Sequence, residues 1–550
     1  MKPLRAAIWL LAALPAATPL AWAFMGSQFP EPWRQRLMLG EMAMQWEFAA
    51  WADVSAEHAA ILGRLLPLCL LQIPGITCAS LAAINALLAI LIAGLVAGLL
   101  PRTIARAGLI APFALALAGL LVATPALGAS WLYGERSTLF LPPLLLLIAL
   151  RALASNQPFT RSATIAFTCV ALAPFTHANG AVVFLALIPA LREAAARAES
   201  PRRLSCLFAL LLIGNVGAAL SIAPAGGIAL GAHGILGTLI ESPLAALSTA
   251  MHSIGSTVLD PIPDTDADVL LIGVTACFLV LLLLFKLRRA NSHGQRQNEA
   301  PSWSCVWFGL LIGLWQNERL GAGIDAGTAR SLGIGGVLLL VGLLGLLASR
   351  MQRRHFAFVL GLVTMLAIGD WATGFETLRL ARVIAAHDDA QLRLPALLVG
   401  AIDETMLTVK SQAQFDRLRL RGIIPNTLDG HLDQLETLAQ ASAVRGSGGV
   451  GEGTSELLHG GIRGTFLGDT PTVVVAIAAK PGGTFSPLQF AWPEFINNGR
   501  TAPWNMPLLP PPVAGTRIRV LAYSGRTGNA YPIGPMLVVR NNRLSMESGK

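Results

Sequence analysis

The sequence predicts an α-helical polytopic membrane protein of about eleven crossing helices, followed by a C-terminal α+β domain on the outer face that ends in a β-sandwich-like module. Three observations lead there. Of the 550 residues, 54% are hydrophobic and only 13% charged, and the mean hydropathy of +0.60 is too high for one water-soluble globule. Apolar stretches of near-spanning length recur up to about residue 370, separated by short tracts of which every second one is rich in Lys and Arg. Beyond that point the hydrophobic runs shorten, and Pro and Gly become more frequent.

The chain opens with Lys2 and Arg5 ahead of an apolar stretch from Ala6 to about Leu20, and Ala21-Trp22-Ala23 resembles a signal-peptidase site. Cleaved or retained, this segment delivers the following residues to the outer side. A retained first helix is the expectation, because polytopic proteins seldom need a removable signal. Further apolar segments lie near 79 to 100, 108 to 127, 138 to 152, 162 to 176, 179 to 191, 204 to 223, 268 to 286, 303 to 315, 331 to 348 and 355 to 370. Several are shorter than the roughly 20 residues that a perpendicular helix needs, which leaves their boundaries loose. Charge decides the topology. Every second loop should be cytoplasmic and basic, as at Lys2 and Arg5, Arg102 and Arg106, Arg151 and Arg161, Arg192 to Arg203, Lys286 to Arg296, and Arg350 to Arg354. One orientation satisfies all of them: a multi-pass protein of a bacterial inner membrane, with a cytoplasmic N-terminus and a periplasmic C-terminal domain.

The alternate loops differ in composition. The first, about 24 to 78, carries Trp33, Trp46 and Trp51 with Glu41, Glu47, Asp53 and Glu57, and its part from Ile61 to Ile73 reads as an apolar helix lying at the interface. The others are Gly128 to Ser137, the tight turn Thr176 to Gly180, a long stretch from about 224 to 267, and Gln316 to Arg330. Residues 1–370 are thus expected to form the transmembrane domain with its periplasmic loops, 371–454 a periplasmic helical and linker region, and 455–550 a β-rich periplasmic module. Leu428 to Ala443 has helically spaced leucines, a glycine-rich break follows at Gly446 to Gly453, and Thr472 to Ala478, Thr516 to Ala522 and Met536 to Val539 are strand-like.

Composition also excludes function classes. The net charge of +9 is spread in short tracts beside apolar runs, a pattern of membrane topology and not of nucleic-acid binding. The six cysteines lie in or next to apolar segments with no CxxC pair, so neither a disulfide framework for the outer domain nor a zinc site is expected. No GxSxG, HExxH or Walker A sequence occurs. Within the apolar segments Asn85 and Asn215 are the notable polar residues, and this scarcity of intramembrane carboxylate or His argues against an ion-coupled transporter. The acids of Asp264-Thr265-Asp266-Ala267-Asp268 have a spacing that resembles a metal-binding run, but Val269 stands where an EF-hand needs its glycine and no closing Glu follows. They are expected to decorate a loop and the N-terminus of the next helix. Polar and ionisable residues instead converge on the outer loops: Glu57-His58, Glu135-Arg136, His177 with Asn179, Glu318-Arg319 and Arg330. Several of these sit in short turns that hold them close to the membrane surface.

This layout of many helices, an acidic first outer loop with interfacial segments, and an outer C-terminal domain resembles the GT-C superfamily of membrane glycosyltransferases. More narrowly, Ser55-Ala56-Glu57-His58-Ala59-Ala60-Ile61-Leu62-Gly63-Arg64-Leu65-Leu66 resembles the Asn-Glu-His-Arg segment, followed by Arg-Leu, of a group of bacterial polytopic proteins. His177-Ala178-Asn179-Gly180 resembles their Ala-Asn-Gly turn, and Ala329-Arg330-Ser331 stands where they often have Ser-Arg-Tyr. The stretch Trp504 to Leu509, with Gly515 to Tyr523 and Tyr531-Pro532, resembles a β-rich module that some of them append. The chain departs from the group in having Ala56 for the Asn, Ala59 for the Arg, and no aromatic after Arg330.

The resemblance implies a polyprenyl-phosphate-linked sugar as donor, approached from the membrane lipids, and an envelope glycan or lipid as acceptor. In that reading Glu57 is the general base for an acceptor hydroxyl, with Asp53 and Glu47 behind it. Arg64, Arg136, Arg319 and Arg330 stabilise the departing phosphate, and Trp131 or Tyr133 stacks on a sugar ring. His58, Glu135, His177, Asn179 and Glu318 complete the substrate-binding set. No cofactor is required, a divalent ion remains open, and no nucleic acid is involved. Two other readings compete: an O-antigen ligase or polymerase type of enzyme, and a non-enzymatic glycolipid exporter or envelope scaffold.

Overall fold

The computed structural model describes residues 2–25, 69, 78–106, 108–109, 111–127, 137–154, 159–177, 180–195, 243–255, 266–287, 293–315, 333–397, 435–441, 448–451, 462–466, 472–491, 502–506, 508, 512–524, 530–540 and 543–546. They divide into two compact units, one formed by residues 1–26 and 45–379 and the other by 27–44 and 380–550.

The first unit is helical. Its elements are α1 (Lys2–Met25), α2 (Cys78–Leu99), α3 (Pro101–Arg106), α4 (Ala111–Val122), a short 3-10 turn at Pro125–Leu127, α5 (Ser137–Leu153), α6 (Phe159–Thr176), α7 (Ala181–Ala195), α8 (Pro243–Gly255), α9 (Asp266–Leu287), α10 (His293–Trp315) and α11 (Gly333–Arg350). The last, α12 (Arg353–Leu397), begins in this unit. Among the described residues, four helices are long and apolar enough to cross a membrane: Leu4–Ala23, Ala82–Leu99, Gly333–Arg350 and Arg353–Phe375. Ala111–Val122, Leu139–Leu153 and Leu270–Leu283 are shorter apolar helices. Each span expected from the sequence falls on a helix except that at 204 to 223, which lies outside the described residues.

Polarity is distributed as lipid demands. Phe358 (76% exposed) and Met365 (72%) of α12, and Leu271, Phe278 and Leu281 of α9, face outward, whereas Asn85, Thr103, Ser162, Ser304, Glu299 and Asp370 are buried. In water such an apolar exterior would aggregate, whereas in a bilayer it faces lipid, and the buried carboxylates of Asp370 and Glu299 are hydrogen-bonded inside. Pro142 and Pro143 within α5, Pro174 within α6 and Pro189 within α7 fit the same solvent, in which helix-interior proline is tolerated. The chain is therefore a membrane-associated helical protein. Small residues set the closest crossings, which is where dispersion and backbone contact do most to hold helices together in lipid. At the α10–α11 crossing, a Cβ on Gly342 would stand 2.5 Å from the Ser302 carbonyl oxygen, and one on Gly309 2.5 Å from that of Gly335. At the α1–α4 crossing, a Cβ on Gly119 would stand 2.6 Å from the Ala16 nitrogen.

The second unit contains α13 (Leu435–Gln440) and the strands β1 (Gly448–Gly451), β2 (Ile462–Phe466), β3 (Thr472–Ala479), β4 (Ser486–Ala491), β5 (Ala502–Met506), β6 (Arg517–Ser524), β7 (Ala530–Pro532), β8 (Leu537–Arg540) and β9 (Arg543–Met546). All pairings are antiparallel: one sheet has the order β1-β2-β5, the other β4-β3-β6-β8-β9 with β7 also on β6. Alternation explains the layers, since successive side chains of a strand point to opposite faces. Val474, Ala476 and Ala478 of β3 join Ile518, Val520 and Ala522 of β6 in a core shared with Ile462, Trp504 and Met506 of the smaller sheet. Val475, Ile477, Ala479 and Leu521 point the other way, against Ala439 of α13 and Phe485. Two sheets over one core form the sandwich-like arrangement expected of this region, and α13 covers the outer face of the larger sheet. The glycine-rich stretch expected to be a break holds β1, the edge strand of the smaller sheet.

Candidate functional site

The helix ends of the first unit sort into two chemically different groups. Antiparallel packing fixes which ends lie together. Arg151, at the end of α5, donates to the Gly98 carbonyl near the end of α2 at 3.5 Å, so the C-terminal ends of these two helices coincide. The Arg353 guanidinium lies over Gly108, whose φ of 83° forms the turn between α3 and α4. Arg350 reaches the Leu283 carbonyl near the end of α9 at 3.3 Å. Described arginines thus mark one set of ends.

The opposite ends are neutral or acidic. Ala23 of α1 packs with Ala82 and Ala86 of α2, and Trp22 lies 5.7 Å from Phe375 of α12, ring centre to ring centre. Leu127 packs against Gly333 at the start of α11. Thr124, just past α4, donates from Oγ1 to Asp370 Oδ2 at 2.7 Å, and both residues are buried. Beside Asp370, Trp371 meets Phe375 edge-on at 4.9 Å, and its buried indole N–H has no hydrogen-bond partner among the described residues.

Of the candidate catalytic and substrate-binding residues, His177 alone is described. It follows α6 directly and is buried (3% exposed); its carbonyl accepts the Gly180 N–H at 2.8 Å. A side chain on Gly180 would run into the Ala173 carbonyl, so this close approach requires glycine. Asp53, Glu57, His58, Arg64, Trp131, Glu135, Arg136, Asn179, Glu318, Arg319 and Arg330 lie outside the described residues, as does Asn215. The helices that flank them are described. Segment 26–77 leaves α1 and enters α2, 128–136 joins Leu127 to α5, 178–179 joins α6 to α7, and 316–332 joins α10 to α11. Each of these connections begins and ends at helix termini opposite the arginine-bearing ones. Asp266 and Asp268 occupy the first turn of α9, as expected of that acidic run. Among the described residues no three His, Cys, Asp or Glu side chains gather where a metal ion would bind.

No family model, curated protein or solved structure matches the chain.

Two carboxylates, Asp370 and Glu299, are buried in the helical unit, and Asp370 adds one acid to the few polar residues expected within the apolar segments. Asp370, the last residue of the segment expected at 355 to 370, lies inside the apolar helix Arg353–Phe375. Glu299 is 3% exposed, because α10 begins at His293, well before the expected start of its apolar segment at 303. Its carboxylate accepts from Ser349 Oγ at 2.6 Å and, through both oxygens, from Arg350 Nε at 3.1 Å and Nη2 at 2.7 Å. The signals were present in sequence as an acid a few residues before an apolar run and an arginine closing the next helix. Spacing alone did not pair them across about 50 residues.

Proposed function

We propose that the chain is a multi-pass glycosyltransferase of the bacterial inner membrane, moving a sugar from a polyprenyl-phosphate-linked donor to an envelope glycan or lipid on the periplasmic face. One observation carries the reading: the connections 26–77, 128–136 and 316–332 are anchored at the same end of the helix bundle, opposite the arginine-bearing ends, and 178–179 joins α6 and α7 at the ends away from their own Arg161 and Arg192. With the basic ends cytoplasmic, as the positive-inside rule requires, that shared end is periplasmic, and about eleven spans follow. A lipid-linked phosphate would lie at the level of these loops.

The chemistry then needs three parts. A carboxylate, Glu57 with Asp53 as its neighbour, takes the acceptor hydroxyl proton as the hydroxyl oxygen attacks the anomeric carbon. Arginines 64, 136, 319 and 330 hold the phosphate that leaves with the bonding electrons. His58, Glu135, His177, Asn179, Glu318 and Trp131 hold the sugars. The test is transfer from a labelled polyprenyl-phosphate-linked sugar by the purified full-length protein in proteoliposomes. Glu57→Gln should lower turnover roughly a hundred-fold or more without altering expression. Equal turnover in the Glu57→Gln and Asp53→Asn variants and the parent would overturn the assignment.

Asp370 favours a second reading, the glycolipid exporter, because an acid held within a span is the usual element of ion coupling. Asp370→Asn retains an acceptor for Thr124. Under the transferase reading it leaves transfer intact, whereas in an exporter it abolishes proton-dependent flux.

A further inference from the structure

The register of the larger sheet in the second unit brings a group of cations to one end. Arg517 pairs with Ala479 on one side and Val538 on the other, so Lys480, just past β3, and Arg540, at the end of β8, flank it. Lys480 and Arg540 are exposed; Arg517 is half-buried, its guanidinium carbon 5.4 Å from the centre of the Phe485 ring. Two exposed turns protrude at this same end, Pro481 to Thr484 and Val513 to Gly515. They touch each other: a Cβ on Gly515, whose φ is 84°, would stand 2.9 Å from Pro481 Cγ. Val513 is 57% exposed, although the strands beside it bury their aliphatic side chains on both faces. An apolar tip flanked by cations is thus built into one end of the domain. Among the described residues between 472 and 546 there is no Asp or Glu, against Lys480, Arg517, Arg519, Arg540 and Arg543.

We propose that this tip is a membrane-docking surface, with Val513 entering the interface and Lys480, Arg517 and Arg540 engaging the phosphates of anionic lipid headgroups. The charge selects the partner, because a basic surface with an apolar point matches a bilayer carrying negative charge and an apolar interior. The covalent link to the helical unit supplies the rest. A tethered domain meets the surface at high effective concentration, so three cations, each strengthening surface partitioning about fivefold, are enough to hold it there. The inference is independent of any catalytic role.

The test uses the full chain in nanodiscs, with Val513→Cys carrying an environment-sensitive fluorophore in a background lacking the native cysteines. In discs containing phosphatidylglycerol, spin-labelled lipids should quench the fluorophore, and high salt should release it. In pure phosphatidylcholine discs quenching should be weak. The Lys480→Gln/Arg540→Gln variant, checked for an unchanged melting profile, should lose most of the quenching in the anionic discs. Absence of quenching in anionic discs, or equal quenching in the two lipids, would overturn the proposal.

Discussion

Glu299→Gln tests the packing of the helical unit at its most constrained polar contact. The carboxylate is 3% exposed and its partner Arg350 10%, and three hydrogen bonds converge on it from Ser349 Oγ, Arg350 Nε and Arg350 Nη2. Glutamine keeps the shape but turns an N–H2 group toward donors and leaves the guanidinium without its counter-charge. Breaking a buried pair in this way costs about 3–5 kcal/mol. The lower end applies here, because Arg350 keeps the Leu283 carbonyl and sits at a helix end from which a long side chain can reach the membrane surface. The expected loss is therefore about 3 kcal/mol. Replacing both partners, Glu299→Leu with Arg350→Leu, removes the stranded charge and should recover most of that loss. Detergent-solubilised protein followed by thermal unfolding of a fluorescent fusion measures both. A single variant that melts with the parent, or a double variant no better than the single, would refute the reasoning.

Gly342→Val should separate α10 from α11, because the new side chain meets the Ser302 carbonyl and Val306; a loss of monodisperse protein in size-exclusion chromatography reads it, whereas Gly361→Val, where nothing lies within 4 Å, should be tolerated. Arg519→Met should cost the second unit about 1–3 kcal/mol, since the Gly534 and Ala441 carbonyls, now held at 2.9 and 2.7 Å, lose their buried donor; limited proteolysis of the intact chain gives the change. Burial pushes the Tyr531 phenol above its ordinary value. The neutral form is favoured in the folded state, so this contribution is complete below the ordinary tyrosine pKa and is lost as pH rises through the folded one. Tyr531→Phe should therefore be less sensitive to alkaline unfolding than the parent, measured by circular dichroism against pH.

Much of the helical unit is legible in the sequence because its two signals, apolar length and arginine spacing, are local. The expected segments at 138 to 152 and 162 to 176 coincide closely with α5 and α6. Where a helix is continued by polar residues, local hydropathy misses it: α10 starts with His293-Gly294-Gln295-Arg296, and α12 continues through Asp370 to Leu397. The inner strands β3, β6 and β8 announce themselves through Val, Ile and Leu runs. The strands β1 and β5 do not, since Gly448 to Gly451 and Ala502 to Met506 hold glycine and proline that edge positions tolerate. Arg519 lies within the strand-like run Thr516 to Ala522, and nothing local in that run shows that it is buried as a donor to the Gly534 and Ala441 carbonyls. Its guanidinium is accordingly held below its ordinary pKa by desolvation. For the candidate site, connectivity was legible and contact was not. Thr124 and Asp370 meet across 246 residues, a pairing that no periodicity encodes.

The claim on which the account rests is that the loops bearing Glu57, Trp131, Asn179 and Glu318 open on one side of the membrane and the arginine-bearing connections on the other. Single cysteines introduced as Glu57→Cys, Trp131→Cys, Asn179→Cys and Glu318→Cys, and at the opposite ends as Arg197→Cys and Arg296→Cys, measure this in intact spheroplasts with a membrane-impermeant thiol reagent. The account predicts labelling of the first four before lysis and of the last two only after it. Labelling of Arg197→Cys in intact spheroplasts together with any of the first four would contradict it.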